Sequence, residues 1–283
     1  MQNNYICYNG DFHRGNDPGL HVLNRVFRFN DALTENIHAY ATSARFLDLH
    51  LKRLITQMEI FGMEVPLFLN AQNIGKLITD LLNKNRIFGG AHIRFTVFRN
   101  EGEEVIPSSN SISFLLESTV LNNGRYTLNE KGLTVDISRN YKRQAGFMSA
   151  FYRPNVNLFM LASREAQQAG VDRMILLNES GRLTEANDSN IFLVSGNSLF
   201  TPALEMGCID GIMRKVIIDY ASREGYRVNE QSSLTTAALY DADEVFLTNA
   251  INGIMWVVAF RQKRFFNKTA RRLSNVLNEE VFE

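Results

Sequence analysis

The spacing of apolar residues changes along the chain, and this change restricts the fold more than any other feature. Apolar side chains recur at helical spacing in residues 47–61 and again in residues 70–85. In residues 91–100 they alternate with more polar neighbours, which is typical of a β-strand with one buried face. Helix and strand patterns therefore follow one another closely, and the chain is predicted to have a mixed α/β (α+β) fold.

A polar stretch at residues 117–132 separates two such mixed regions. Asn, Gly, Thr and charged residues make up most of this stretch, so it is the best candidate for a linker. We predict a smaller N-terminal α/β domain at residues 1–118, a linker at 119–127 and a larger C-terminal α/β domain at 128–283. The length of 283 residues is enough for two buried cores.

The charge balance and the cysteine and histidine content argue against several classes of function. Thirty basic residues balance thirty acidic ones, so no general field attracts nucleic acid or a membrane. Two cysteines and five scattered histidines show no metal-ligand spacing, and we predict no metal site. The start of the chain lacks a signal-peptide pattern and no apolar run could cross a bilayer, so we expect a cytoplasmic protein. The basic and aromatic segment 260–272 is interpreted as a solvated loop and helix start.

One segment carries several distinctive residue types at fixed spacing. Residues 183–214 read LTEANDSNIFLVSGNSLFTPALEMGCIDGIMR, and their notable elements are Glu185, residues 189–192 and 200–202, Gly211, Ile212 and Arg214. This segment resembles the signature of the class IV aminotransferases, the fold-type IV family of pyridoxal phosphate (PLP) enzymes. That family includes branched-chain and D-amino acid aminotransferases and aminodeoxychorismate lyase. Residues 50–54 (HLKRL) look like its H-x-x-R-L helix. The resemblance implies the two-domain fold-type IV (D-amino acid aminotransferase-like) fold.

The resemblance also implies PLP as the cofactor and gives several residues a role. A carboxylate beside the pyridine nitrogen, here Glu185, keeps that nitrogen protonated. Arg53 and the helix start at Gly211 and Ile212 would bind the phosphate. The remaining cofactor-binding candidates are Ser189, Asn190 and Thr248. The resemblance further implies a pocket between the domains and a homodimer, because in the family a loop of the partner subunit completes the pocket.

The family's catalytic lysine, which binds the cofactor covalently and shuttles a proton, has no counterpart in this sequence. Asn155 and the helix that follows it set the register, which places Tyr152 at the lysine position. A spacing one residue longer places Phe151 there. Lys142 lies ten residues earlier, so its use would require a rebuilt loop, and Arg153 cannot form such a covalent link. Tyr152 is therefore the catalytic candidate, although a tyrosine cannot supply the link either.

Other family positions are altered as well. Val156 stands where the family has a tyrosine, and Met213 stands where it often has a phosphate-binding threonine. Asn249-Ala250 replaces a glycine-threonine pair, and residues 30–35 replace a glycine-rich strand segment. The loss of several cup residues together is more typical of abandoned or changed chemistry than of one substitution that traps an intermediate. Some of these substitutions could equally be typical of a subgroup of active enzymes.

Three functions remain open on the sequence. The first is a class IV aminotransferase-like protein with a degenerate PLP site, in which transamination is lost or strongly reduced and PLP binds non-covalently if at all. The second is an active PLP-dependent aminotransferase or lyase that acts on an amino acid or 2-oxo acid through a non-standard residue. The third is a non-catalytic dimeric scaffold. In the favoured interpretation Tyr152 packs with Phe151 and Val156 and fills the vacated space.

Overall fold

The computed structural model describes residues 4–15, 23–151 and 156–282. These residues form two compact units, and the boundary between the units falls between Arg125 and Tyr126. The linker predicted at residues 119–127 stays a prediction. The last strand of the first unit ends at Val120 and so extends into that range.

The described residues of the first unit form one six-stranded sheet and three helices. Its elements are β1 (Tyr5–Tyr8), β2 (Asp11–Arg14), α1 (Arg25–Phe29), β3 (Ala32–Tyr40), β4 (Ser43–Ala44), α2 (Leu47–Ile60), α3 (Ala71–Lys84), β5 (Gly90–Arg99) and β6 (Ile112–Val120). The strand order across the sheet is β2-β1-β6-β5-β3-β4, and each neighbouring pair is antiparallel.

Helices α2 and α3 form because their apolar residues fall on one side, where they bury against the sheet. Leu51 and Leu54 of α2 lie in the same apolar core as the inward residues of β5. Helix α3 begins after Asn70, whose side-chain oxygen accepts the N–H of Asn73 at 3.0 Å. The three elements predicted from apolar spacing, α2, α3 and β5, are confirmed.

The second unit contains nine strands and four helices. Its elements are β7 (Leu133–Arg143), α4 (Asn157–Ala169), β8 (Arg173–Asn178), β9 (Leu183–Ala186), β10 (Ser189–Ser195), β11 (Ser198–Pro202), α5 (Ile212–Arg223), β12 (Arg227–Gln231), α6 (Thr236–Asp241), β13 (Glu244–Asn249), β14 (Gly253–Phe260), β15 (Lys263–Arg264) and α7 (Lys268–Phe282). Single 3₁₀ turns at Phe147–Ala150 and Leu204–Met206 follow β7 and β11.

Six strands of the second unit close into a ring. The order is β10-β13-β14-β7-β8-β9, and β9 pairs with both β8 and β10. Strand β7 is parallel to both of its neighbours, and the other pairs of the ring are antiparallel. Apolar residues of these strands form the core of the unit, among them Val135, Ile175, Ile191, Leu247 and Val257. The closure places β9, β10 and β13 side by side, and these strands carry four of the predicted site residues, Glu185, Ser189, Asn190 and Thr248.

The described residues also bear on the membrane and metal predictions. Among them, no helix is both long and apolar enough to cross a membrane. Within the same ranges, no group of three or more His, Cys, Asp or Glu side chains is arranged to hold a metal ion.

Candidate functional site

Three of the predicted site residues lie directly opposite one another on neighbouring strands. Asn190 of β10 is paired with Glu185 of β9 on one side and with Thr248 of β13 on the other. Directly opposite residues of antiparallel strands point to the same face of a sheet. All three are buried, with exposures of 2%, 6% and 0% for Glu185, Asn190 and Thr248. The ring thus gathers three polar side chains that lie 63 positions apart at most in the sequence.

The loop before α5 is held against these strands through the peptide groups of Ile209. The N–H of Ile209 donates to Glu185 Oε2 at 2.9 Å, and its carbonyl accepts from Asn190 Nδ2 at 2.8 Å. Gly211 then begins α5, and a Cβ at that position would lie 2.1 Å from Asn190 Oδ1. Only glycine allows this approach, which explains why the signature contains Asn190 and Gly211 together.

The start of α5 offers backbone donors, although not all those predicted. The N–H of Gly211 already donates to the carbonyl of Ile209 at 2.9 Å. No side chain among the described residues caps the helix, so the amides of Ile212 and Met213 are its open donors. Arg214 stays buried beneath and donates to the Pro202 carbonyl at 2.9 Å, which ties α5 to β11. Arg214 therefore has a structural role in this signature.

Glu185 has a charge partner that the sequence analysis missed. Arg143 Nε, at the end of β7, lies 2.7 Å from Glu185 Oε1. Its single hydrogen, however, is directed to the Gly207 carbonyl at 3.0 Å, and Nη2 donates to the Ser149 carbonyl at 2.6 Å. Glu185 Oε1 therefore receives electrostatic compensation but no hydrogen bond from any described residue. Burial raises the pKa of Glu185 to about 7, although Arg143 and the Ile209 N–H act in the opposite direction.

Lys142 and its neighbour Arg143 point to opposite faces of β7. Successive residues of a strand point to opposite faces, and Arg143 points toward Glu185. Lys142 is exposed. The two observations together place the Lys142 ammonium away from the candidate site.

Thr248 and Ser189 differ in how their hydroxyl groups are satisfied. Thr248 Oγ1 is buried and has no hydrogen-bond partner among the described residues. Ser189 Oγ donates to Asp188 Oδ1 at 2.9 Å and accepts from Asn249 Nδ2 at 3.1 Å. Because Ser189 precedes Asn190 in β10, its side chain lies on the other face of the strand. The structure therefore groups Thr248 with Glu185 and Asn190, and it does not bring Ser189 to the same cluster.

Arg53 belongs to the first unit, where it forms a buried charged cluster with two residues. Arg53 Nε donates to Glu35 Oε1 at 2.8 Å, and Arg53 Nη2 donates to Glu35 Oε2 at 2.5 Å. His50, one helical turn earlier on α2, donates from Nδ1 to Glu35 Oε2 at 2.6 Å, because a carboxylate can only accept. Burial alone would raise the pKa of Glu35, but Arg53 and His50 together lower it below its ordinary value. Burial lowers the pKa of His50, so this ring is neutral near pH 7.

Tyr152 and Phe151 are the two candidate positions for the family's lysine. Tyr152 lies outside the described residues. Phe151 is half-buried. Val156, which was expected to pack with Tyr152, is 51% exposed in this single chain.

The sequence contains only weak signals for Glu35 and Arg143, the two charge partners that sequence reasoning missed. Glu35 stands in the altered segment 30–35, and its link to α2 depends on how β3 packs on that helix. Arg143 follows Lys142, but only the closed ring of strands brings the end of β7 to β9.

Comparison with known proteins identifies the class of this fold. The chain is similar to the branched-chain aminotransferase from the thermophilic archaeon Thermoproteus uzoniensis with norvaline, with a TM-score of 0.87, 22% identity and coverage of 97% of this chain and 93% of that one. It is also similar to the branched-chain amino acid aminotransferase from Thermobaculum terrenum in its PLP form, with a TM-score of 0.85, 21% identity and coverage of 99% and 94%. The predicted fold-type IV fold is therefore confirmed.

The family follows from the sequence match. The family model for amino-transferase class IV matches residues 32–260, so this chain belongs to the class IV aminotransferase family. A putative branched-chain-amino-acid aminotransferase of Methanocaldococcus jannaschii is 26% identical over 284 residues, which cover 97% of this chain and 94% of that protein. The chain is thus a homologue of branched-chain aminotransferases.

Proposed function

We propose that this protein is a class IV aminotransferase homologue that binds PLP or pyridoxamine phosphate non-covalently and has lost transamination, or retains it only at a strongly reduced rate. The observation that carries this proposal is the absence of lysine at Tyr152 and at Phe151, the two positions that the family register allows. Lys142 is exposed, and its strand neighbour Arg143 is the residue that points toward Glu185. These two observations argue against Lys142 as a replacement for the missing lysine.

The residues that remain fit the proposed ligand. Glu185 Oε1 and Thr248 Oγ1 are buried polar atoms that lack hydrogen-bond partners among the described residues. Glu185 would hold the protonated ring nitrogen, and Thr248 with the open amides of Ile212 and Met213 would hold the phosphate. On the family resemblance alone, Arg53 is also proposed as a cationic contact to a bound phosphate. When bound, PLP supplies an electron sink for bonds at the substrate Cα.

Arg143 and Asn190 are proposed to orient the site for the ligand, but they do not supply a proton-transfer group. Arg143 compensates the charge of Glu185 without using the Oε1 lone pair, so that oxygen stays available to accept a hydrogen bond. Asn190 holds Ile209, and thereby the start of α5, in place. Under this proposal, none of these described residues serves as the base that moves a proton at the substrate Cα. Tyrosine has an ordinary pKa near 10 and remains protonated at neutral pH unless its environment changes it strongly.

The proposed activity can be tested by titrating purified protein with PLP and with pyridoxamine phosphate. We expect saturable binding, no cofactor fixed to the chain by borohydride, and negligible transamination between branched-chain amino acids and 2-oxo acids. Thr248→Val is the matched variant, because valine keeps the shape and removes a buried hydroxyl that has no partner among the described residues. It should fold at least as stably as the wild type and bind about two- to tenfold more weakly.

Two results would contradict the proposal in different ways. Turnover of about 1 per second or more would mean that a working base exists and that the register of the lysine position is wrong. No binding of either ligand would instead favour the scaffold function.

A second prediction concerns restoration of the missing lysine. If the ligand contacts are intact, Tyr152→Lys or Phe151→Lys should give a visible absorption band with added PLP, and borohydride should fix the cofactor to that lysine. Peptide mass mapping identifies which of the two registers is correct. Arg153→Lys is the control, because it preserves the charge and places a lysine in the sequence position directly after the two candidate positions. Colourless Tyr152→Lys and Phe151→Lys variants under excess PLP would show that the contacts themselves have decayed.

A further inference from the structure

Helix α7 ends the chain with one face buried and the other exposed. Its buried face is formed by Thr269, Ala270, Leu273, Ser274 and Leu277. The exposed face separates charge by sign, with Lys268, Arg271 and Arg272 in the first turns and Glu279 and Glu280 near the end. The basic part belongs to segment 260–272, to which the proposed function gives no role.

This order of charges does not stabilise α7 itself. A helix carries partial positive charge at its N-terminus and partial negative charge at its C-terminus, so basic residues at the start and acidic residues at the end are unfavourable. The N-terminus is instead capped from β13, where the Glu244 carboxylate accepts the N–H groups of Thr269 at 2.8 and 2.9 Å and of Ala270 at 3.2 Å. The exposed charges therefore need another explanation.

Helix α5 and Glu224, the residue that follows it, account for two of these charges. Arg272 Nε lies 2.7 Å from Glu224 Oε2, and Glu280 Oε1 lies 3.1 Å from Arg223 Nη1. No ion pair within the described residues involves Lys268, Arg271 or Glu279. These three charges are the ones available to a partner.

A shallow depression of about 610 Å³ runs along this exposed face. Its lining includes Phe266, Lys268, Arg271, Asn275, Val276 and Glu279. Arg271, Asn275 and Glu279 are four residues apart, so they align in one stripe along the helix. Asn275 lies midway between a cation and an anion. Phe266 adds an apolar side chain that is 77% exposed. None of these residues belongs to the cluster around Glu185.

We infer that a second copy of this chain docks on this face, with the two α7 helices antiparallel and the two-fold axis near Asn275. Under that symmetry Arg271 of each copy faces Glu279 of the other, because both residues lie four positions from the axis. The antiparallel arrangement also places each helix N-terminus near the other's C-terminus, which the helix dipoles favour. The same surface serves both copies, as an isologous contact requires.

The mixed charge of the stripe distinguishes this partner from others. A nucleic acid or a uniformly acidic peptide would be attracted by Lys268 and Arg271 but repelled by Glu279. A second copy satisfies both signs at once. The homodimer expected from the family resemblance involves a loop at the cofactor pocket, so the α7 contact is a separate surface.

Charge reversal tests this contact. Arg271→Glu makes the stripe acidic at both ends and Glu279→Arg makes it basic at both ends, so each variant should weaken self-association through α7 roughly tenfold or more. An equimolar mixture of the two variants, carrying different tags, restores both ion pairs and should copurify. Light scattering at tens of micromolar should show half the wild-type mass for each single variant and the full mass for the mixture.

A cross-linking experiment reports on the same contact independently of any other interface. Asn275→Cys places two thiols at the two-fold axis, and mild oxidation should yield a covalent dimer of two 32.2 kDa chains. The native Cys7 and Cys208 are buried, so they should not react. Gln72→Cys, an exposed position on α3, is the matched control and should remain uncross-linked. A wild-type mass of one chain, or single reversals that keep the wild-type mass, would overturn the inference.

Discussion

Replacing Glu35 with alanine should lower the free energy of unfolding by about 3–5 kcal/mol, because the change removes the carboxylate that compensates a buried cation. Glu35 is 1% exposed and accepts hydrogen bonds from both Arg53 and His50. Removing the carboxylate takes two charge-assisted hydrogen bonds from the buried Arg53 guanidinium. Urea denaturation of the wild type and the variant at pH 7 measures the difference directly.

Two further variants separate this ionic effect from simple side-chain loss. Glu59→Ala removes a carboxylate from the exposed side of the same helix, α2, and should change stability by no more than about 0.5 kcal/mol. Glu35→Leu combined with Arg53→Met replaces the ion pair with apolar groups but leaves the buried His50 Nδ1–H without its acceptor, so it should recover only part of the loss. A Glu35→Ala variant as stable as Glu59→Ala would mean that the cluster is hydrated and contributes little.

Much of the fold was accessible from the sequence because it depends on local periodicity. The apolar spacing of α2 and α3 and the alternation in β5 each report which face is buried, and burial decides the element. The family resemblance also pointed to Glu185 and Asn190 within the signature at 183–214 and to Thr248 outside it, and the structure places the three side by side. Their neighbourhood could be anticipated only through the family resemblance, since Thr248 lies on a strand far along the chain.

The charge partners could not be predicted in the same way. Arg143 meets Glu185 because β7, β8 and β9 close a ring, and no local pattern signals that closure. Glu35 meets His50 and Arg53 through the packing of β3 on α2, whereas the sequence indicated only that residues 50–54 resemble the family's H-x-x-R-L helix. Ser189 was grouped with Asn190 because the two are adjacent in the signature, but adjacent strand residues point to opposite faces.

The electrostatics of Glu185 lead to a measurable dependence of stability on pH. Burial raises its pKa to about 7 from an ordinary value of 4.5. Between these values the folded chain binds a proton that the unfolded chain releases, so stability decreases as the pH rises. The stabilising contribution is complete below about pH 4.5 and is lost as the pH passes through 7. The expected loss is about 3 kcal/mol in total.

Glu185→Gln isolates this contribution, because glutamine keeps the shape of the side chain and cannot ionise. Denaturation of both proteins at several pH values from 5 to 8 gives the difference in unfolding free energy, in which the other titrating groups largely cancel. Over this range the difference should shift by about 2.5 kcal/mol in favour of the glutamine variant as the pH rises. Arg143→Met should move the transition to higher pH, because Arg143 is the group that most strongly lowers the pKa of Glu185. If the two proteins instead keep a constant difference over this range, Glu185 is ionised throughout, and the Arg143 cation outweighs the cost of burial.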